Sequence, residues 1–164
     1  MLNLYEAGFK VHYLEAAVEI AEIMVSDFID EENGGFFIGP ENGEKLIVRA
    51  KDSYDGAIPS GNAVAAMNCI RLSKFTGNMK WDEIAQKTFL AFSDGINRVP
   101  SAHSFMLTSF MFGEESPKEI VVVSKEKNSE TISMVRKIQS SYNPHSILIL
   151  KNMNDTKTLD KGAP

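Results

Sequence analysis

The feature that most constrains this chain is a change of period near Lys118. Upstream of it, one-face positions recur at helical spacing: Leu14, Ala17, Val18, Ala21, Met24, Val25 and Phe28 in a first run, Val64, Met67, Ile70 and Phe75 in a second, and Ile84, Ala85, Thr88, Phe89, Phe92 and Ile96 in a third. Such i, i+3, i+4 stripes are stable only when buried against another element. Downstream, "EIVVVS" (Glu119 to Ser124) and "SILIL" (Ser146 to Leu150) are short continuous apolar runs. They flank a helical face of Ile132, Val135, Ile138 and Tyr142. Strand, helix and strand at this spacing predict a βαβ unit with parallel strands. The expected fold is therefore mainly α: helical hairpins over residues 1–113, a small C-terminal βαβ unit over 118–151, and a polar tail over 152–164.

Turn chemistry marks the joints. "LNLYEAGF" starts the chain inside an amphipathic helix, and "KNMNDTKTLDKGAP" closes it in polar residues, so both ends read as cut rather than finished. "DEENGG" (Asp30 to Gly35) stops the long helix with charges and glycines. "FFI" (Phe36 to Ile38) and "LIVRA" (Leu46 to Ala50) around "GPENGEK" predict a β-hairpin insertion. Gly77 in "TGN" is the expected C′ residue of the next helix, and Pro100 ends the one after it. "SAHSFMLTSFMF" is apolar nearly all round, which predicts a buried helix over Ala102 to Phe112.

Composition excludes several classes. The net charge is −5 and no Lys/Arg run forms a basic patch, which argues against a nucleic-acid surface. No apolar run approaches the roughly 20 residues a membrane span needs, and the N-terminus lacks the basic and apolar regions of a signal peptide. Cys69 is the only cysteine, which excludes an internal disulfide and a cysteine-based zinc site. A reducing cytoplasm fits this pattern. His12, His103 and His145 are scattered without H-x-H or HExxH spacing, so no metal site is expected. The first strand of the βαβ unit is followed by "SKEKNSE" and not by a glycine fingerprint, so no dinucleotide cofactor is expected either.

The densest local signal is "KDSYDGAIPSGNAVAAMNCI", Lys51 to Ile70. Two readings compete. In the structural one, Ser60 is the N-cap of the next helix, Pro59 and Val64 sit where an apolar staple packs, and Asp55-Gly56 supplies a turn with a left-handed position. In the functional one, period-two alternation puts Ile47, Arg49 and Lys51 on one face. Two cations then point at a loop holding Asp52, Asp55, Ser60 and Asn62 beside a helix N-terminus, which favours anionic or hydroxyl-rich ligands.

Three stretches together resemble a known family: "LYEAGF…YLEAAVEIAEIMVSDFIDEENGGFF", "LIVRAKDSYDGAIPSGNAVAAMNCIRLSKFTGN" and "EIVVVS". They look like the C-terminal part of the thioredoxin-domain-containing proteins typified by spermatogenesis-associated protein 20 and bacterial YyaL, with "DGAIPSGN" before an apolar helix as the most specific element. The resemblance implies a longer parent: an N-terminal thioredoxin-like domain, then an (α/α)6 toroid of six-hairpin glycosidase type, similar to N-acylglucosamine 2-epimerase and cellobiose 2-epimerase. This chain would hold the last hairpins of that toroid and the start of an α/β segment. Because ligands of such toroids bind in a central funnel lined by hairpin loops and helix starts, the resemblance makes Arg49, Lys51, Asp55, Ser60 and Asn62 candidate ligand-binding residues. No histidine here matches the acid/base histidines of the epimerases, so no catalytic residue is assigned.

Two functional classes stay open. Either the parent binds or modifies a carbohydrate and this piece supplies one side of the funnel, or the toroid is a non-catalytic scaffold accompanying the thioredoxin-like domain. In both cases the chain alone is expected to be inactive. It is also expected to associate with itself, since a partial toroid leaves Phe105, Met106, Phe110, Met111 and Phe112 with more apolar surface than one helix side can hide.

Overall fold

The computed structural model describes residues 1–43, 48–115, 117–125 and 128–152. Among these described residues there are six α-helices and two strands: α1 (Leu2–Gly8), α2 (Val11–Phe28), α3 (Gly61–Thr76), α4 (Met79–Arg98), α5 (Ser104–Glu114), β1 (Lys118–Ser124), α6 (Ser129–Gln139) and β2 (Ser146–Asn152), with a 3-10 turn at Pro100–His103 before α5. The predicted helical period and its loss near Lys118 therefore match the elements. Helical hairpins are present, α1 packing with α2 and α3 with α4.

α3 is the spine. Ala63, Ala65, Ala66, Cys69, Ile70, Leu72 and Phe75 are buried on nearly every side of it, because α4 and α5 pack on different faces. Its small residues let the neighbouring helices approach, and the large side chains Trp81, Phe89, Met106 and Phe112 fill in from α4 and α5. Cys69 is part of this packing, and burial pushes its thiol up to about 12, so it stays protonated and inert. Gly77 takes the left-handed C-cap at φ 69° and returns its N–H to Ser73 O at 2.8 Å. α5 is less buried than its composition predicts. Met106, Ser109 and Phe112 face the core, while Phe110, edge-on to Phe89 of α4 at 5.3 Å, and Met111 keep 39% and 48% of their surface exposed.

The C-terminal unit is the expected βαβ. β1 and β2 pair in parallel with Ile120 opposite Leu148 and Val122 opposite Leu150. The two faces of β2 serve two cores. Ile147 and Ile149 join the helical body, and Leu148 packs with Val122 and Val135 under α6. α1 joins the two parts. Glu6 pairs with Arg71 of α3, accepts Leu148 N–H of β2 on its other oxygen at 3.2 Å, and offers its carbonyl to Gln139 of α6 at 2.7 Å. Phe9, just past α1 in a left-handed conformation, packs on both cores.

The expected β-hairpin is shown only in part. Among the described residues it reduces to two isolated antiparallel bridges, Ile29 with Phe36 and Phe37 with Lys51. Leu46 and Ile47 lie outside the described residues. The ring of Phe37 is flanked by side chains, with Arg49 over it at 4.1 Å and Lys51 at 5.5 Å.

Candidate functional site

The motif at Lys51 to Asn62 folds as a loop clamped from inside. Asp52 takes Tyr54 N–H on its Oδ1 at 2.9 Å, an Asx-type turn that sets the entry. Ser53 O meets Nδ1 of the buried His103 at 2.7 Å. Asp55 then does most of the fastening. Its Oδ1 accepts Ser60 N–H at 2.7 Å, its Oδ2 accepts Phe105 N–H at 2.8 Å and Met106 N–H at 2.9 Å, and its own N–H goes to Ala102 O at 2.8 Å. One carboxylate thus closes its own loop and satisfies the orphan amides at the start of α5, where negative charge is favoured.

Ser60 caps α3 as expected, accepting Ala63 N–H at 3.2 Å. Asn62, at the start of that helix, pairs with both backbone groups of Phe36, accepting its N–H at 2.7 Å and donating to its carbonyl at 2.9 Å, and donates again to Asp52 O at 2.8 Å. A side-chain amide is here used as a piece of β-ladder. That stitches the Phe36 segment to the loop.

Two sequence expectations fail locally. Gly56 is not left-handed; a Cβ there would fall 2.8 Å from the Tyr54 ring, so the glycine leaves room for that ring to lie across it. Arg49 does not reach the Asp52–Asn62 loop. Its guanidinium donates to Asp27 O at 3.2 Å and Gly39 O at 2.8 Å, capping the end of α2. Lys51 likewise turns away, to Asp30 Oδ2 at 2.7 Å and Gly34 O at 2.8 Å. The five candidates are consequently in two groups. Asp55, Ser60 and Asn62 hold the loop and two helix starts, and Arg49 with Lys51 holds the end of α2.

Asp30 is the residue the sequence reading missed. Its Oδ1 accepts Glu32 N–H and Asn33 N–H, and Lys51 sits on Oδ2. The Lys51 ammonium, helped by Asn33 N–H, lowers its carboxyl to about 2. Asp30 followed by Asn33 is an Asx-turn signature that was legible; its cation was not. Gly34 and Gly35, both at φ 75°, complete this turn, and a Cβ on Gly34 would strike the Lys87 carbonyl.

The surface beside these clamps is distinctive. Tyr54 is 62% exposed and Ile58 77% exposed, with Asp52 and Gly56, Ala57 and Pro59 also outside. Two clefts of about 340 and 320 Å³ lie elsewhere, one between the Asp30–Gly35 turn and α4, the other between Arg71 and the Asn143–Ser146 loop; neither is lined by the five candidates. Trp81 is 2% exposed and packs under α4, so its ring is not available to a ligand.

No family model matches the chain. The comparison with curated proteins does. The whole chain is 33% identical, over 165 aligned positions, to the C-terminal part of human spermatogenesis-associated protein 20. The mouse protein of the same name is equally similar, and an uncharacterized protein of Caenorhabditis elegans is 30% identical over 136 residues, 83% of the chain. The chain spans about a fifth of the length of these relatives, 21% of the human protein and 18% of the nematode one.

Proposed function

We propose that this chain is a segment of a longer protein of the thioredoxin-domain-containing family, that its helical hairpins belong to an (α/α)6 toroid of epimerase and glycosidase type, and that it serves ligand binding without supplying catalytic groups. The ligand class is a carbohydrate, and the contact is made by the tip of the 52–59 loop. The observation that carries this reading is an exposed aromatic ring on a fixed backbone: Tyr54, lying across Gly56 beside the exposed Asp52, on a loop fastened through Asp55, Ser53 and Ser60. An aromatic face next to a carboxylate suits a sugar, which offers an apolar ring side and hydroxyl donors. In this reading Asp55, Ser60 and Asn62 act by positioning the loop, and Arg49 and Lys51 by holding the end of α2 beside it.

A second reading, a scaffold with no sugar ligand, is favoured by the internal use of Asp55, Ser60 and Asn62, whose hydrogen bonds go to this chain's own backbone. A thermal-shift screen of a full-length relative against mono- and disaccharides separates the two, since a ligand of the folded state raises the melting temperature by mass action. The carbohydrate reading expects a shift that the counterpart of Tyr54→Ala removes without lowering the unliganded melting temperature. No shift with any sugar leaves the scaffold.

A further inference from the structure

The two-stranded sheet has one guarded edge and one open edge. Lys118 N–H is bonded to His145 O at 2.9 Å, and in a parallel ladder the residues pointing at the neighbour alternate. Lys118, Ile120 and Val122 therefore aim their amides at β2, and the amides and carbonyls of Glu119, Val121 and Val123 aim outward. On the far side of the sheet, the outward Leu148 N–H is taken by Glu6. Among the described residues no strand lies against the outer edge of β1. Its side chains on the face away from α6 are also uncovered, with Val121 51% and Val123 58% exposed. Parallel strands are ordinarily covered on both faces, and an exposed apolar edge is a template for another strand.

We propose that the outer edge of β1 is a self-association site, on which β1 of a second copy of this chain pairs antiparallel about a two-fold axis at Val122. The strand is self-complementary in that register. Outward-pointing residues must face outward-pointing residues for the hydrogen bonds to form, and the pairing sets Val121 against Val123 and Glu119 against Lys125 of the other copy. Two valine pairs and two opposite-charge pairs arise from one axis. Glu119 already meets Lys74 at 3.3 Å on the surface of its own chain, and the pairing brings it opposite Lys125 across the axis. The product is a four-stranded sheet, β2-β1-β1-β2, whose outer edges are both closed by Glu6. The expected self-association thus has a strand edge as its interface, where the sequence pointed to helix faces.

The test is a dilution series of the 164-residue chain by sedimentation or light scattering. A concentration-dependent dimer is expected. Val121→Pro removes an outward N–H and leaves the β2 ladder intact, so it should give a monomer with unchanged helical circular dichroism. Glu119→Lys places like charges across the axis and should weaken the dimer at least tenfold; Glu119→Lys with Lys125→Glu should restore it, though it does not restore the contact with Lys74. A wild-type chain that stays monomeric at high concentration overturns the proposal. So does a dimer indifferent to Val121→Pro, or a charge swap that fails to rescue. None of these outcomes depends on a sugar ligand.

Discussion

Asp30 and Asp55 each sit at the centre of a glycine-containing loop next to a helix end, yet one meets a cation and the other meets only amides. Asp30 closes the turn after α2 with Glu32 and Asn33 N–H and is neutralised by Lys51. Asp55 takes Ser60, Phe105 and Met106 N–H with no ammonium or guanidinium among its partners. The contrast teaches how a carboxylate is held in a small body. Where the chain ends a helix, the dipole presents carbonyls, so a lysine and an arginine are recruited and the acid pairs with one of them. Where the chain starts helices, the dipole and its free amides are themselves the counter-charge. Asp30 is therefore a titratable joint and Asp55 a capping one.

The largest expected effect breaks the capping joint. Asp55→Ala leaves two buried amides and one half-buried amide without acceptors, a loss on the order of 2 to 3 kcal/mol at about 1 kcal/mol per orphaned donor. Asp55→Asn keeps one carbonyl oxygen and should fall between the two. Urea midpoints at neutral pH are the measurement. An Asp55→Ala chain as stable as wild type would mean the loop is fastened elsewhere.

Next comes the backbone of the Asp30 turn. Gly34→Ala forces a left-handed alanine whose Cβ meets the Lys87 carbonyl, and about 2 kcal/mol or more should be lost. Gly61→Ala, at a helix start with open space around its Cβ, is the control and should be neutral or stabilising. Equal effects at both glycines would remove the special status of the turn.

The titratable joint should show itself in acid. Folding lowers Asp30 from 3.8 to about 2, so its ion pair contributes full stability above pH 4, and that contribution is lost as pH falls toward 2. Lys51→Met removes the main cause of the depression. It should be less stable than wild type at pH 7 by about 1 kcal/mol or more, and the gap should close between pH 4 and pH 2. A gap for Lys51→Met that stays constant down to pH 2 would show that the lysine acts by packing on Phe37 rather than by charge.

Much of the frame was legible because it is local. Periodicity placed α2, α3 and α4, Gly77 and Pro100 marked ends, and Ser60 announced its cap three residues ahead of the amide it accepts. The joints were not legible because they are not local. Asp55 serves amides fifty residues away, and His103 binds Ser53 across the same interval. Alternation correctly put Arg49 and Lys51 on one face, but alternation says nothing of what that face meets; both turned to the end of α2. Gly56 misled for a related reason, since a glycine read as conformational freedom was there to seat a ring. Of the proposed carbohydrate site, the motif was visible, while Tyr54 as its exposed face emerged only once the loop's interior contacts were known.

The smallest effect sharpens the comparison most. Ser60 sits between the two uses of Asp55: its N–H is held by that carboxylate, and its hydroxyl caps Ala63 N–H. Ser60→Ala removes only the second, and a lost cap costs about 1 kcal/mol. If the Asp55 clamp and the Ser60 cap are independent, the double variant Asp55→Asn with Ser60→Ala should be additive within about 0.5 kcal/mol. The two groups lie in one loop and share the Ser60 peptide, however, and contacting residues normally couple. Releasing the Ser60 N–H should already misplace its hydroxyl, so the expected result is a double variant less destabilised than the sum. Full additivity would mean that α3 keeps its start without Asp55, and that the carboxylate's work is confined to its own loop and α5.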